Sequence, residues 1–340
     1  MTLILDVRHL HTHFGTDKGD LVAVNDVSFT VDAGSCLGIV GESGSGKSVT
    51  CLSIMGLIEP PGVVRGEILF EGRNLLELSA EETEALRGKD ISMIFQDPLT
   101  SLNPVFTVER QMMDVIRRHL PMSPRQARER AIETLARVGV PAPAERLRQY
   151  PFQLSGGLRQ RVMIAMALSC EPKLVFADEP TTALDVSIQA QILDLLQDLK
   201  SQLNFALVFV SHDLGVIANL SDRVIIMYAG HFMESARTEQ IFTAPAHPYT
   251  VGLLSSAPSL ASSRQNPLRP IDGVLPDLTR LPPGCPFAPR CSRRTAECEA
   301  VIPPLRAYGE GRLLACYHPW DAPSGELQAA SIDASENRSA

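Results

Sequence analysis

Phosphate chemistry is concentrated in Gly41-Glu42-Ser43-Gly44-Ser45-Gly46-Lys47-Ser48, which fits the phosphate-loop pattern G-x-x-x-x-G-K-[ST]. Glycines let the backbone turn tightly enough for successive N–H groups to face phosphate oxygens, and a helix start adds its positive dipole end. In this reading Lys47 neutralises the β/γ-phosphates, Ser48 offers a hydroxyl to Mg2+, and Val49 is a further candidate nucleotide contact. A chance occurrence of the four fixed positions is the competing explanation. Further on, Leu174-Val175-Phe176-Ala177-Asp178-Glu179 is an apolar strand ending in two carboxylates, where ligands bind in open α/β sheets. Side chains alternate along a strand, so Asp178 and Glu179 cannot do the same job. One suits a metal ion and the other a water to be deprotonated, unless both are ordinary surface acids.

Other polar residues stand at comparable places. Gln96 follows the strand Ile91-Ser92-Met93-Ile94-Phe95, where its side chain could reach a metal or an attacking water, or simply belong to a turn. His212 follows the strand Phe205–Val210, as a structural histidine or as a neighbour of the phosphate loop. Leu154-Ser155-Gly156-Gly157 opens a helical run and reads either as a second anion site or as a plain cap. The turn Pro180-Thr181-Thr182-Ala183-Leu184-Asp185 leads into a helix over 187–203. Phe14 lies ahead of the phosphate loop and could stack on an adenine or be a half-buried loop aromatic.

These residues need an α/β frame to hold them. Cys36-Leu37-Gly38-Ile39-Val40 reads as a buried strand and 48–57 as a helix, giving the strand–loop–helix context that the motif requires. Leu3–Val7 and Val22–Val31 read as strands, and Glu67–Phe70 with Glu71-Gly72-Arg73-Asn74 as a hairpin edge. Ser123 caps a helix with Pro124 at its first position. The region from 98 to 170 is mainly helical, a subdomain inserted into the core.

At 340 residues with 44% hydrophobic content, the chain supports one large domain and a smaller appendage. A net charge of −8 argues against bulk nucleic-acid binding. No apolar run approaches the ~20 residues needed to span a bilayer. Cys36, Cys51 and Cys170 lie in apolar segments and read as small core residues. Cys285, Cys291, Cys298 and Cys316 instead fall within 32 residues, spaced C-x5-C, C-x6-C and C-x17-C among turns with little apolar sequence. This suggests a segment held by a ligand. Disulfides, free thiols, zinc and an iron–sulfur cluster remain open on spacing alone.

In their fixed order the phosphate loop, Gln96, Ser155-Gly156-Gly157, Asp178-Glu179, Asp185 and His212 resemble the ATP-binding cassette (ABC) ATPases over residues 3–255. The phosphate loop, Phe95-Gln96-Asp97-Pro98-Leu99-Thr100-Ser101-Leu102-Asn103-Pro104 and His247-Pro248-Tyr249-Thr250 look like the ATPase subunits of dipeptide/oligopeptide importers. One departure is Phe152-Gln153, where family members often carry His-Glu ahead of the Ser-Gly-Gly segment.

The resemblance implies a nucleotide-binding domain over 1–255 with an antiparallel β subdomain and the helical subdomain at about 98–170. A Cys-rich extension over 256–321 and a disordered tail over 322–340 would follow. It implies a head-to-tail dimer with a second cassette, ATP and Mg2+ as cofactors, two membrane permeases, a solute-binding protein as an indirect partner, and no nucleic acid. The chain would sit peripherally at the cytoplasmic face of the inner membrane. Lys47 and Ser48 would bind phosphate and Mg2+, Gln96 would sense the γ-phosphate and the metal, and Asp178 would help hold the metal. Glu179 would be the general base, His212 a γ-phosphate contact, and Ser155, Gly156, Gly157 and Asp185 would act across the dimer. Gly284-Cys285-Pro286-Phe287-Ala288-Pro289-Arg290-Cys291 resembles the start of a four-cysteine segment carrying a 4Fe-4S cluster in some of these ATPases, with zinc as runner-up. Arg290, Arg293 and Arg294 would offset the cluster charge or form a solvated basic face. The competing class, a nucleic-acid- or ribosome-associated cassette ATPase, fits less well with one cassette, no heptad insertion and an acidic balance.

Overall fold

The computed structural model describes residues 2–17, 19–182, 185–256 and 270–320. The expected linker residues 257–266, Leu268-Arg269 and the tail 322–340 lie outside the described residues. Among the latter the strands are β1 (Leu3–Thr16), β2 (Gly19–Asp32), β3 (Cys36–Val40), β4 (Gly62–Phe70), β5 (Arg73–Asn74), β6 (Ile91–Ile94), β7 (Leu174–Asp178), β8 (Ala206–Ser211), β9 (Arg223–Tyr228), β10 (His231–Arg237), β11 (Arg306–Ala307) and β12 (Leu313–Leu314).

They form two sheets. The smaller is antiparallel in the order β2-β1-β4-β5; the larger runs β11-β12-β10-β9-β3-β8-β7-β6. In the larger sheet β6, β7, β8, β3 and β9 are parallel, and β10, β12 and β11 extend one edge with antiparallel pairs. Every residue of β3, β7 and β8 is buried, as expected of strands covered on both faces. Helices Pro98–Ser101, Val108–His119, Pro124–Arg137, Pro143–Arg146 and Gly156–Leu168 occupy the stretch between β6 and β7. The Pro124 helix is started by Ser123, whose hydroxyl accepts from the Gln126 N–H while the Gln126 side chain returns to the Ser123 N–H. Its buried stripe, Ala127, Ala131 and Leu135, joins the large core. Cys36, Cys51 and Cys170 are buried in the cores, as read from their surroundings.

The C-terminal segment is part of the same packing. Leu313 and Leu314 pair with Ser235 and Glu234, the Ala315 N–H donates to the Met233 carbonyl at 2.9 Å, and the Trp320 N–H to Ala246 at 2.7 Å. Phe287 packs edge-on to Tyr228, ring centres 5.3 Å apart. No helix among the described residues is long and apolar enough to cross a membrane.

Candidate active site

Register in the parallel sheet assembles the site. Val40 pairs with Ser211 and Asp178 with Val210, so the ends of β3, β7 and β8 lie side by side, and Ile94 at the end of β6 pairs with Ala177. The residues that follow these strand ends, Gly41, Gln96, Glu179 and His212, therefore converge on one cleft of about 750 Å3. Phe14, Ser43, Gly44, Gly46, Lys47, Ser48 and Val49 also line it.

At Gly41 and Gly46 the loop has no room for a side chain. A Cβ on Gly41 would lie 2.1 Å from the Met227 carbonyl oxygen. Gly46, with φ +102°, would bring one within 2.4 Å of the Ala23 carbonyl oxygen. Ser45 is buried beneath the loop and its carbonyl accepts the Gly230 N–H at 2.9 Å. Lys47 is only 5% exposed, and its Nζ donates to the carbonyls of Gly41 (2.9 Å) and Glu42 (3.0 Å). Burial lowers its pKa, while Glu179 and Asp178 pull it back up. This cation, held by its own loop at the mouth of a glycine cradle, fits a phosphate chain.

The two acids at the end of β7 face different partners. Ser48 Oγ donates to Asp178 Oδ1 at 2.9 Å. Burial raises the Asp178 pKa, opposed by that hydrogen bond. A hydroxyl beside a carboxylate at the loop's end is a donor set that suits Mg2+. Glu179 adopts a left-handed backbone, φ 45°, and its N–H donates to the Val210 carbonyl at 3.0 Å. Its Oε2 receives Gln96 Nε2 at 3.3 Å and Thr182 Oγ1 at 2.9 Å, and lies 3.1 Å from His212 Nδ1. Lys47 Nζ is 3.9 Å from Oε1. Gln96 thus reaches Glu179 rather than the Ser48–Asp178 pair.

Ser155, Gly156, Gly157 and Asp185 do not line this cleft. Ser155 caps the Gly156–Leu168 helix, accepting from the Leu158 N–H, and Asp185 stands at the N-terminal boundary of the Val186–Leu203 helix without a side-chain cap hydrogen bond. Sequence reasoning left out Thr182, which anchors Glu179 from three residues on; its hydroxyl in a turn was the available signal. It also left out the partners of Glu42: the Tyr249 hydroxyl receives the Glu42 N–H at 3.0 Å, and Arg290 grips the carboxylate.

A phosphate-loop cleft at the carboxyl ends of a parallel core, flanked by an antiparallel sheet and a helical insertion, defines an ATP-binding cassette. The chain matches the ABC transporter family over residues 24–182 and the oligopeptide/dipeptide transporter C-terminal region over 233–298. It belongs to the family of oligopeptide and dipeptide ABC transporter ATP-binding proteins. It is 50% identical to the oligopeptide transport ATP-binding protein OppD of Salmonella typhimurium, over 93% of this chain and 94% of that one. It is also 49% identical to the dipeptide transport ATP-binding protein DppD of Bacillus subtilis, over 93% of this chain and 95% of that one. Among solved structures it resembles the dimeric ATP-binding cassette MJ0796 in a post-hydrolysis state bound to ADP and Pi. That likeness has a TM-score of 0.63 and 27% identity, covering 69% of this chain and 99% of that one.

The expectation of a 4Fe-4S cluster on Cys285, Cys291, Cys298 and Cys316, or of zinc there, is overturned. Among the described residues no group of three or more His, Cys, Asp or Glu is placed to hold a metal ion, and the relatives above are named for ATP binding and transport alone. The four cysteines border a cavity of about 20 Å3, close to the room one water needs. Burial pushes the Cys285 thiol up to about 12 and Cys316 to about 11. The segment is held instead by packing on the core, and Cys285, Phe287, Ala288 and Cys298 belong to the large apolar cluster. Arg290 faces Glu42 rather than a cluster charge.

Proposed function

We propose that the chain is the ATP-hydrolysing subunit of a peptide importer. Its relatives' names support peptides as the transported class. The observation that carries the mechanism is the Glu179 carboxylate, held by Gln96, Thr182 and His212 at the end of the cleft that Lys47 commands. Phe14 and Val49 flank the nucleotide, the loop N–H groups and Lys47 bind its phosphates, and Ser48 with Asp178 holds Mg2+, which offsets phosphate charge when bound. Gln96 contributes to the metal and γ-phosphate environment. Glu179 orients the attacking water and takes its proton, and His212 contacts the γ-phosphate.

Ser155, Gly156, Gly157 and Asp185 act on the cleft of a second cassette, identical or homologous. This reading draws on their absence from the chain's own cleft and on the dimeric state of the MJ0796 cassette. Residues 1–255 form the nucleotide-binding domain, with the helical subdomain over about 98–170; the segment after it is a C-terminal extension. The subunit works peripherally at the cytoplasmic face of the inner membrane with two permeases, which receive solute from a binding protein.

Uptake of a labelled tripeptide by cells lacking the chain tests the importer reading. Wild type restores uptake and Lys47→Ala does not; uptake that never depended on the chain would contradict it.

A further inference from the structure

The phosphate loop is fastened to the C-terminal segment through one ion pair. Arg290 Nη1 donates to Glu42 Oε2 at 2.6 Å and Nη2 to Oε1 at 3.1 Å, the two-pronged geometry in which guanidinium and carboxylate bind most strongly. The remaining donors are also used: Nε to the Asp272 carbonyl at 2.9 Å, Nη2 to Ile271 at 3.1 Å, and Nη1 to the Tyr228 hydroxyl at 3.3 Å. The guanidinium lies 5.8 Å from the Tyr228 ring centre, and the side chain is only 6% exposed. All five N–H groups of a buried cation are thus satisfied, which fixes its place.

Glu42 is the second residue of the phosphate loop and lines the nucleotide cleft. Its N–H is held by Tyr249 Oη at 3.0 Å, and its carbonyl accepts from Lys47 Nζ at 3.0 Å and from the Ser45 N–H at 3.1 Å. Every polar group of Glu42 is therefore engaged, and Arg290 supplies the charge. Leu278, also from the C-terminal segment, lines the same cleft, so this segment reaches the nucleotide site directly at Leu278 and through Glu42 at Arg290.

A carboxylate in a loop that receives a polyanion is unfavourable unless a cation cancels it. We propose that Arg290 is a positioning residue of the nucleotide site: it fixes the phosphate loop through Glu42 and cancels the Glu42 charge, making the C-terminal segment part of the ATP-binding apparatus. The proposal rests on the nucleotide reading above.

Equilibrium binding of MgATP and MgADP to the full chain tests it. Arg290→Ala raises the Kd for MgATP about ten-fold, more than for MgADP, while kcat at saturating ATP stays within about three-fold. Adding Glu42→Gln to Arg290→Ala brings the Kd back to within about three-fold of wild type, because the stranded charge is gone. Glu42→Gln alone, which keeps a hydrogen-bonding partner for Arg290, tightens MgATP about three-fold. This sign decides the matter even where Arg290→Ala fails to fold. A purely structural brace predicts the opposite: Glu42→Gln leaves affinity unchanged or weakens it, and the double variant is no better than Arg290→Ala. Either of those results, or Arg290→Ala binding ATP like wild type, overturns the proposal. A wild-type chain that binds no nucleotide overturns instead the reading on which it rests.

Discussion

Glu179 gathers more polar partners than its neighbour Asp178, and the difference follows from where β7 stops. Asp178 is its last residue and meets Ser48, whereas Glu179 lies just beyond it with a left-handed backbone, φ 45°, and meets Gln96, Thr182 and His212. Thr182→Val removes a hydrogen bond to a carboxylate without changing the side chain's shape. It should lower kcat about ten-fold with KM for ATP within about two-fold, read from steady-state hydrolysis; an unchanged kcat would show that Glu179 needs no such anchor. The convergence of Lys47, Ser48, Glu179, Gln96 and His212 on one cleft was legible in the sequence because each comes after a readable strand in the parallel sheet. Arg290 was not, because its partner Glu42 is 248 residues away and no local pattern reports such a pair. The four-cysteine spacing misled for a related reason: proximity in sequence did not place three ligands around a metal.

Among the elements, β3 was legible to the residue because a run of buried apolar positions closes at a glycine loop. β1 and β2 are longer than the readable strands Leu3–Val7 and Val22–Val31. Their register shifts near Val7–Leu10 and His9 sits at φ 48°, which breaks the alternation that betrays a strand. β11 and β12 have two residues each, too few to show a period. The helix Pro248–Ser256 begins beside His247, which is buried and whose Nδ1 accepts the Tyr249 N–H at 3.0 Å. Burial lowers the His247 pKa to about 3, against about 6.5 in an unfolded chain. The folded state then binds fewer protons than the unfolded one. Its contribution is full above about pH 6.5 and is lost as pH falls towards 3, costing about 2 kcal/mol between pH 7 and pH 5. Thermal melts should show a steeper loss of stability over that interval in wild type than in His247→Asn. Parallel slopes would mean that His247 takes up its proton without opposition.

At the scale of the whole molecule, the cleft and the helix start at Ser155-Gly156-Gly157 are not joined in one copy of the chain, and the proposed reading gives each an anion to bind. The proposed pairing of cassettes would use both, and the solved cassette the chain resembles is dimeric. On the proposed reading, ATP draws two cassettes together and Glu179 then hydrolyses it. The most direct measurement compares Glu179→Gln with wild type for ATP binding, phosphate release and sedimentation in MgATP. Glu179→Gln should leave ATP affinity unchanged, reduce phosphate release about a thousand-fold, and give a paired species that persists in MgATP but not in MgADP. A Glu179→Gln protein that releases phosphate near the wild-type rate and gains no paired species would contradict that reading.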